Sequence, residues 1–299
     1  MGSVNIDVSA SKVGVIINTS SGGCDCESEA EILGLLERAR AEYCKTWCGQ
    51  ADQIERAFAE AEVHNLDVLV VLGGDGTIRT AAEACRRTGT YLLPLPGGTM
   101  NMLPRALYSE TSWQETLEKT LANPATKTLS AGRMGKELFF VAAILGAPAL
   151  LMEARESIRE RKIVNAIEKS AIAFQTMFDS KIRYSISAEM IGEAEVVTVI
   201  CPLVSEQMSD SEQALEAAVI DVQSAAELVR VATAAAFGRW RNDKSVMLSK
   251  TERVTLRSRG DIPSFLDGER VMAGKKVEIA FSPSAVTVVV PAGEITFPS

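Results

Sequence analysis

The chain has 299 residues, 46% hydrophobic and 23% charged, which excludes a disordered, collagenous or coiled-coil protein. At ~150 residues per domain, the length suggests about two domains. The sum of 31 basic and 39 acidic residues gives a net charge of −8, a poor match to a nucleic-acid partner and to broad docking on anionic lipid.

Residues Met1 to Asp7 show no basic stretch followed by an apolar one, so no secretory signal is expected. No uninterrupted apolar run of about 18 residues occurs, so no transmembrane helix is expected and a cytoplasmic location follows. Cysteines 24, 26, 44, 48, 85 and 201 are too sparse for a disulfide framework. Neither Cys24-x-Cys26 nor Cys44-x3-Cys48 has the second Cys/His pair that a tetrahedral site needs. The single histidine, His64, argues against a Ser-His-Asp hydrolase and a zinc hydrolase.

The first 125 or so residues alternate strand and helix. Val13 to Asn18 is a short apolar run ending at Ser20-Ser21-Gly22-Gly23, the pattern of a buried parallel strand and its loop. Glu27 to Glu42 puts Ile32, Leu35, Leu36 and Ala39 on one helical face. A short strand over Cys44 to Trp47 and a helix from about Asp52 to Val63 follow. Asp67 to Leu72 is the clearest buried strand and runs into Gly73-Gly74-Asp75-Gly76-Thr77. The next helix is expected from Thr77 or Thr80, where Thr80-x-x-Glu83 fits a capping box. Tyr91 to Pro94 is a strand feeding Leu95-Pro96-Gly97-Gly98-Thr99-Met100-Asn101, and Pro104 suits the first turn of a helix. This alternation predicts an α/β, doubly wound parallel sheet.

After Asn123-Pro124 the texture changes, and the linker is placed near Leu121 to Thr128. Ala149 to Met177 reads as helix, with Arg155, Arg159, Arg161 and Lys162 interleaved with Glu153, Glu156 and Glu160. Strands are expected over Lys181–Ile186, Val196–Ile200, Ala217–Asp221, Arg253–Ser258, Val277–Phe281 and Ala285–Val290, with a helix at about Ser224 to Phe237. Domains of 1–125 (α/β) and 126–299 (β-sandwich-like) are predicted.

Ligands of open parallel sheets bind beyond the carboxyl ends of the strands. Asn18 to Gly23, Gly73 to Thr77 and Gly97 to Asn101 are loops at such ends. Gly73, Gly74 and Gly76 allow close backbone approach and positive φ, and amides at a helix start can hold an anion. Asp75 would repel bare phosphate and makes sense with a Mg²⁺ ion or a hydroxyl between them. Thr77 and Thr99 offer hydroxyls. The loop is neither a Walker A motif nor a dinucleotide fingerprint, and alone it is also compatible with a plain strand-to-helix turn.

Gly73 to Thr77, followed by Leu93-Pro94-Leu95-Pro96-Gly97-Gly98-Thr99-Met100-Asn101-Met102-Leu103-Pro104-Arg105-Ala106-Leu107, resembles the diacylglycerol kinase and sphingosine kinase catalytic-domain family, nearest its soluble bacterial members. Asn18-Thr19-Ser20-Ser21-Gly22 resembles the family's Asn-Pro-x-Ser-Gly loop. Thr46-Trp47 resembles its nucleotide-reaching threonine segment, and Phe265-Leu266-Asp267-Gly268-Glu269 its Asp-Gly-Glu motif. The resemblance implies a nucleotide domain plus a β-sandwich lipid domain with the active site between them. It implies transfer of the γ-phosphoryl group of ATP, with Mg²⁺, to a diacylglycerol-like hydroxyl at a membrane surface. Nucleotide contacts would come from Asn18, Ser21, Gly22, Thr46, Gly73, Gly74, Asp75, Gly76, Thr77, Gly98, Thr99 and Asn101. Glu269 would be the general base and Asp267 its orienting partner. A hairpin turn explains Asp267-Gly268 equally well, and both readings can hold.

The chain departs from the family at Arg79-Thr80, which replaces an Asn-Glu pair. Gln213 stands where an Asp would ligate a structural Mg²⁺, so no metal residues are assigned. Ser205 to Asp210 replaces a glycine-rich loop. Peripheral association at the inner membrane face and a homodimer both fit the reading. The alternatives are a kinase of a soluble acceptor, such as an NAD kinase, and a nucleotide- or lipid-binding protein without catalysis.

Overall fold

The computed structural model describes residues 4–5, 7–25, 27–108, 112–146, 181–209, 212–222, 227, 230–231, 234 and 239–293. The expected helix over 149–177, with its arginine cluster, lies outside the described residues, as does most of the one over 224–237. The chain forms two units, residues 1–131 with 283–299, and residues 132–282.

The first unit begins with a two-residue strand, β1 (Val4–Asn5). The elements β2 (Lys12–Asn18), α1 (Glu27–Arg38), β3 (Glu42–Gly49), α2 (Ala51–Val63), β4 (Val68–Gly73), α3 (Asp75–Thr88) and β5 (Tyr91–Pro96) alternate as expected. Helices α4 (Met102–Leu107) and α5 (Trp113–Ala122) follow. The strands pair in parallel in the order β5-β4-β2-β3. Chain order therefore reverses beside β2, which places a topological switch point between the carboxyl ends of β2 and β4. Alternate residues Val13, Val15, Ile17, Val68, Val70, Leu72, Leu93 and Leu95 pack with Ile32, Leu35 and Leu36 of α1 and Leu117 of α5. On the other face, Leu69 lines one small space together with Phe58 and Ala61 of α2 and Ala84 and Cys85 of α3. The near-continuous apolar strands thus reflect a sheet covered on both faces.

Three boundaries differ from expectation. α1 stops at Arg38 because Arg40 takes a left-handed φ of 58°, and β3 starts at Glu42. α3 starts at Asp75 behind the extended Gly74; the Thr80 hydroxyl bonds back to the Gly76 carbonyl at 3.1 Å and caps nothing. The strands expected over Val277–Phe281 and Ala285–Val290 are one strand, β17 (Lys276–Pro291). Pro283, which cannot donate to a ladder, falls between its pairing with residues 253–257 and its pairing at Val288 with Leu92.

The second unit is a sandwich of two antiparallel sheets. Its elements are the end of β6 (Pro124–Met134), β7 (Glu137–Phe139), β8 (Ala142–Gly146), β9 (Ile182–Ser185), β10 (Ile191–Ala194), β11 (Val196–Ile200), β12 (Leu215–Ile220), β13 (Val246–Thr251), β14 (Arg253–Arg257), β15 (Pro263–Leu266), β16 (Glu269–Met272) and the start of β17. One sheet runs β13-β12-β11-β8-β15-β16, and the other contains β10-β9-β14-β17. Phe139, Leu145, Val197, Val199, Leu256, Leu266 and Ile279 fill the space between them. β6 to β8, β10, β13, β15 and β16 were not expected as strands; β7, β8, β10, β15 and β16 have three to five residues, β13 is mostly exposed or half-buried, and β6 mixes buried and exposed positions without regular alternation.

Candidate active site

The loops after β2, β4 and β5 are tied together at the carboxyl edge of the parallel sheet. Asn18, buried at the end of β2, donates from Nδ2 to Thr77 Oγ1 at 2.8 Å, and its Oδ1 accepts from the Ser20 amide at 3.0 Å. The Gly74 amide donates to Ser21 Oγ at 2.9 Å. Gly97 receives the Gly23 amide and gives its own to the Gly73 carbonyl, both at 3.0 Å. Asn101, at φ 50°, accepts the Gly98 amide at 2.7 Å and returns Nδ2 to the Gly98 carbonyl at 2.9 Å.

Asp75 is only 7% exposed and accepts the Met102 amide at 2.5 Å, so it joins the start of α3 to the start of α4. The positive φ that Gly73, Gly74 and Gly76 would allow is not used by any of them. Space is what these glycines supply. A Cβ on Gly98 would stand 2.6 Å from the Gly74 Cα, and one on Gly97 2.8 Å from the Gly73 nitrogen. Gly74 itself has room, with its nearest neighbours at 3.6 and 3.7 Å. The loops leave the first-turn amides of α3, unused by the helix itself, beside Thr77 and Gly98.

Gly22 and Thr99 are exposed in the same loop group, and Gly76 and Thr77 are partly exposed. Thr46 is not joined to it by a hydrogen bond. It lies in β3 opposite Val15, with its hydroxyl 3.0 Å from that of Tyr43. Cys24 Sγ is 3.6 Å from the Gly97 carbonyl, and burial pushes its pKa up to about 12. Among the described residues no Cys, His, Asp and Glu group could hold a metal ion.

In the second unit, Asp267 and Gly268, at φ 47° and 82°, make the two-residue turn between β15 and β16, with Leu266 opposite Glu269. Asp267 is 4% exposed. Its carboxylate accepts the amides of Phe140, Val141 and Ala142 at 2.7, 2.9 and 2.9 Å, while its own amide donates to the Ala142 carbonyl at 2.9 Å. No local pattern announces this clamp, because its partners lie 125–127 residues away. Glu269, the first residue of β16, is exposed.

The resemblance also implies a structural Mg²⁺ site near Gln213, and the residues present do not fit it. Gln213 is exposed, and Glu212 is held by Lys250 at 2.7 Å. Glu216 is buried and already receives Arg241 Nε at 2.7 Å, Nη2 at 3.4 Å and the Ser205 hydroxyl. The positive partner of these carboxylates is protein, and a hard dication would find them occupied.

Residues 12–134 match the model of the diacylglycerol kinase catalytic domain. This stretch of the chain is thus similar to the catalytic domain of a lipid-kinase family of phosphotransferases. The chain is similar along nearly its whole length to a crystal structure of a diacylglycerol kinase from Bacillus anthracis str. Sterne, with a TM-score of 0.67, 14% identity, and 95% of this chain and 98% of that one covered. Two further structures from the same strain give TM-scores of 0.69 and 0.67 at 15% identity, covering 95% and 93% of this chain and 98% and 96% of theirs. Such identities establish a shared fold. No curated protein matches the chain. Among the described residues no helix is long and apolar enough to cross a membrane.

Three expectations follow. Gly98→Ala should cost about 1–3 kcal/mol by urea unfolding, because its Cβ meets backbone, whereas Gly74→Ala should stay within about 0.5 kcal/mol. Equal losses would mean the loops have slack. Asp267→Ala should cost about 3 kcal/mol or more by stranding buried amides, and Asp267→Asn less because one acceptor oxygen survives; a loss below about 1 kcal/mol for Ala would show that the clamp is dispensable. Thermal unfolding should not respond to EDTA, while Arg241→Gln should cost about 3 kcal/mol by leaving Glu216 buried without its counter-charge. An EDTA-sensitive melting temperature would restore a structural metal.

Proposed function

We propose that the protein is an ATP-dependent lipid kinase that transfers the γ-phosphoryl group of ATP to the hydroxyl of diacylglycerol or a related lipid. The observation that carries this reading is the cross-linked loop group at the switch point, above all the Asn18–Thr77, Ser21–Gly74 and Asp75–Met102 hydrogen bonds. In this reading the amides of Gly76 and Thr77 receive phosphate oxygens at the positive end of α3, while the Gly74 amide stays on Ser21 Oγ. Thr77 and Thr99 add hydroxyls, Gly22 and Gly98 let the nucleotide approach, and Asn18, Ser21 and Asn101 hold the loops in register. Thr46 is assigned to the nucleotide on the resemblance alone.

Mg²⁺ bound with ATP would neutralise charge on the transferring phosphates, with Asp75 its best protein partner, through water. Glu269 takes the proton of the lipid hydroxyl as its oxygen bonds to the γ-phosphorus and the bond to the ADP oxygen breaks. Asp267 acts on Glu269 through the turn it anchors. Phosphoryl transfer needs positioning more than covalent help, which suits a chain whose site residues are mostly backbone and small side chains.

The test is steady-state phosphorylation of a lipid panel with labelled ATP, beside calorimetric ATP titration. Glu269→Gln keeps hydrogen-bonding reach but loses the proton-accepting carboxylate, so kcat should fall by ~10²–10⁴-fold while ATP affinity stays within about twofold. Equal kcat values would remove Glu269 as base. Transfer to NAD alone would favour a soluble acceptor, and ATP binding with no acceptor phosphorylated would favour a binding protein.

A further inference from the structure

The second unit carries an open groove of about 520 Å³ between the β6–β7 turn and the corner that links β16 to β17. Its floor is apolar: Met134 and Val277 are buried in the sandwich core, and Val271 and Ala273 pack against that core. The rim has the opposite character. Lys136 sits at the tip of the two-residue β6–β7 turn, after Gly135 at φ 61°. Lys275 and Lys276 are exposed on the facing corner, and none of the three makes an ion pair among the described residues. Between them Met272 is 80% exposed, the most exposed large hydrophobic side chain described. Of the carboxylates lining the groove, Glu278 is held by Arg253, and Glu137 is the first residue of β7, next to Lys136.

A protruding apolar side chain ringed by lysines on flexible stems is the chemistry of interfacial binding. The methionine enters the acyl boundary, while the ammonium groups stay at the level of anionic headgroups. A chain with net charge −8 is repelled from such a surface elsewhere, so local charge would orient it. Position on the chain agrees. Met272 lies three residues past Glu269 on the same strand, roughly 10 Å at the rise of a β-strand. A lipid hydroxyl lies near headgroup depth, so a base close behind the docking tip could reach it.

We propose that Met272, Lys136, Lys275 and Lys276 form the edge by which the protein docks on an anionic phospholipid bilayer. The inference rests on the lipid-kinase reading for its purpose, but its test does not depend on catalysis. The full chain is sedimented with vesicles of phosphatidylcholine alone, or of phosphatidylcholine with phosphatidylglycerol. Wild type should bind the anionic vesicles, and more weakly at high salt. Lys136→Glu/Lys275→Glu/Lys276→Glu should weaken binding at least about tenfold, given roughly fivefold per basic residue at such a surface. Met272→Ser should weaken it severalfold at every salt concentration. All four side chains are exposed, so the variants should fold, which circular dichroism checks.

With long-chain diacylglycerol in anionic vesicles, kcat/KM should fall in parallel, while phosphorylation of a water-soluble short-chain diacylglycerol stays within about twofold. Unchanged vesicle binding in both variants, or no anionic preference in wild type, overturns the docking edge. Vesicle binding that follows prediction without phosphorylation of any lipid overturns the kinase reading and leaves the surface standing.

Discussion

The first unit depends on how closely two loop backbones approach. Gly97 and Gly98 lie against Gly73 and Gly74 with no space for a methyl group at Gly97 or Gly98. Contact at that distance makes the loops after β4 and β5 behave as one body, and the Gly97–Gly73 and Asp75–Met102 hydrogen bonds then lock their register. The loop after β2 joins through Asn18 and Ser21. A catalyst of phosphoryl transfer relies on preorganised donors that pay no reorganisation during reaction. On the proposed kinase reading, backbone amides fixed by such contacts meet that need better than long side chains would.

The two acidic residues of the Asp-Gly-Glu motif divide their work. Asp267 spends its charge on three buried amides, which anchors a left-handed turn that a two-residue hairpin requires. Glu269, two residues on, keeps its carboxylate in water. On the proposed reading, one carboxylate holds a geometry and the next is offered for chemistry. The turn reading and the functional reading of this motif are therefore compatible in physical terms.

Elsewhere in the second unit, charge is settled inside the protein. Glu216 and Arg241 pair in the interior, Glu206 reaches Arg241 at 3.2 Å, and Glu195, 2% exposed in its side chain, meets Lys181 at 3.2 Å. Burial raises the pKa of Glu195 against the pull of that lysine. Buried pairs of this kind are weak sources of stability but costly to break. They explain how a position that resemblance links to a metal can be filled without one.

Local sequence was enough for the parallel half of the fold. Apolar runs such as Val68 to Leu72, ended by glycine loops, state both a strand covered on two faces and the loop that follows it. The family likeness of residues 12–134 and most of the loop residues were legible for the same reason, since close backbone approach favours glycine. Thr46, which its motif tied to the nucleotide, sits in mid-strand without a hydrogen bond to those loops. The strands from β6 to β8, the pairing of the single strand β17, the amide clamp on Asp267 and the Arg241–Glu216 pair could be settled only by tertiary structure. Each joins residues far apart in the chain, and periodicity reports only on a residue's near neighbours. Which side chain meets which across 25 or 125 residues follows from which strands become neighbours within a sheet, a choice that no single segment contains.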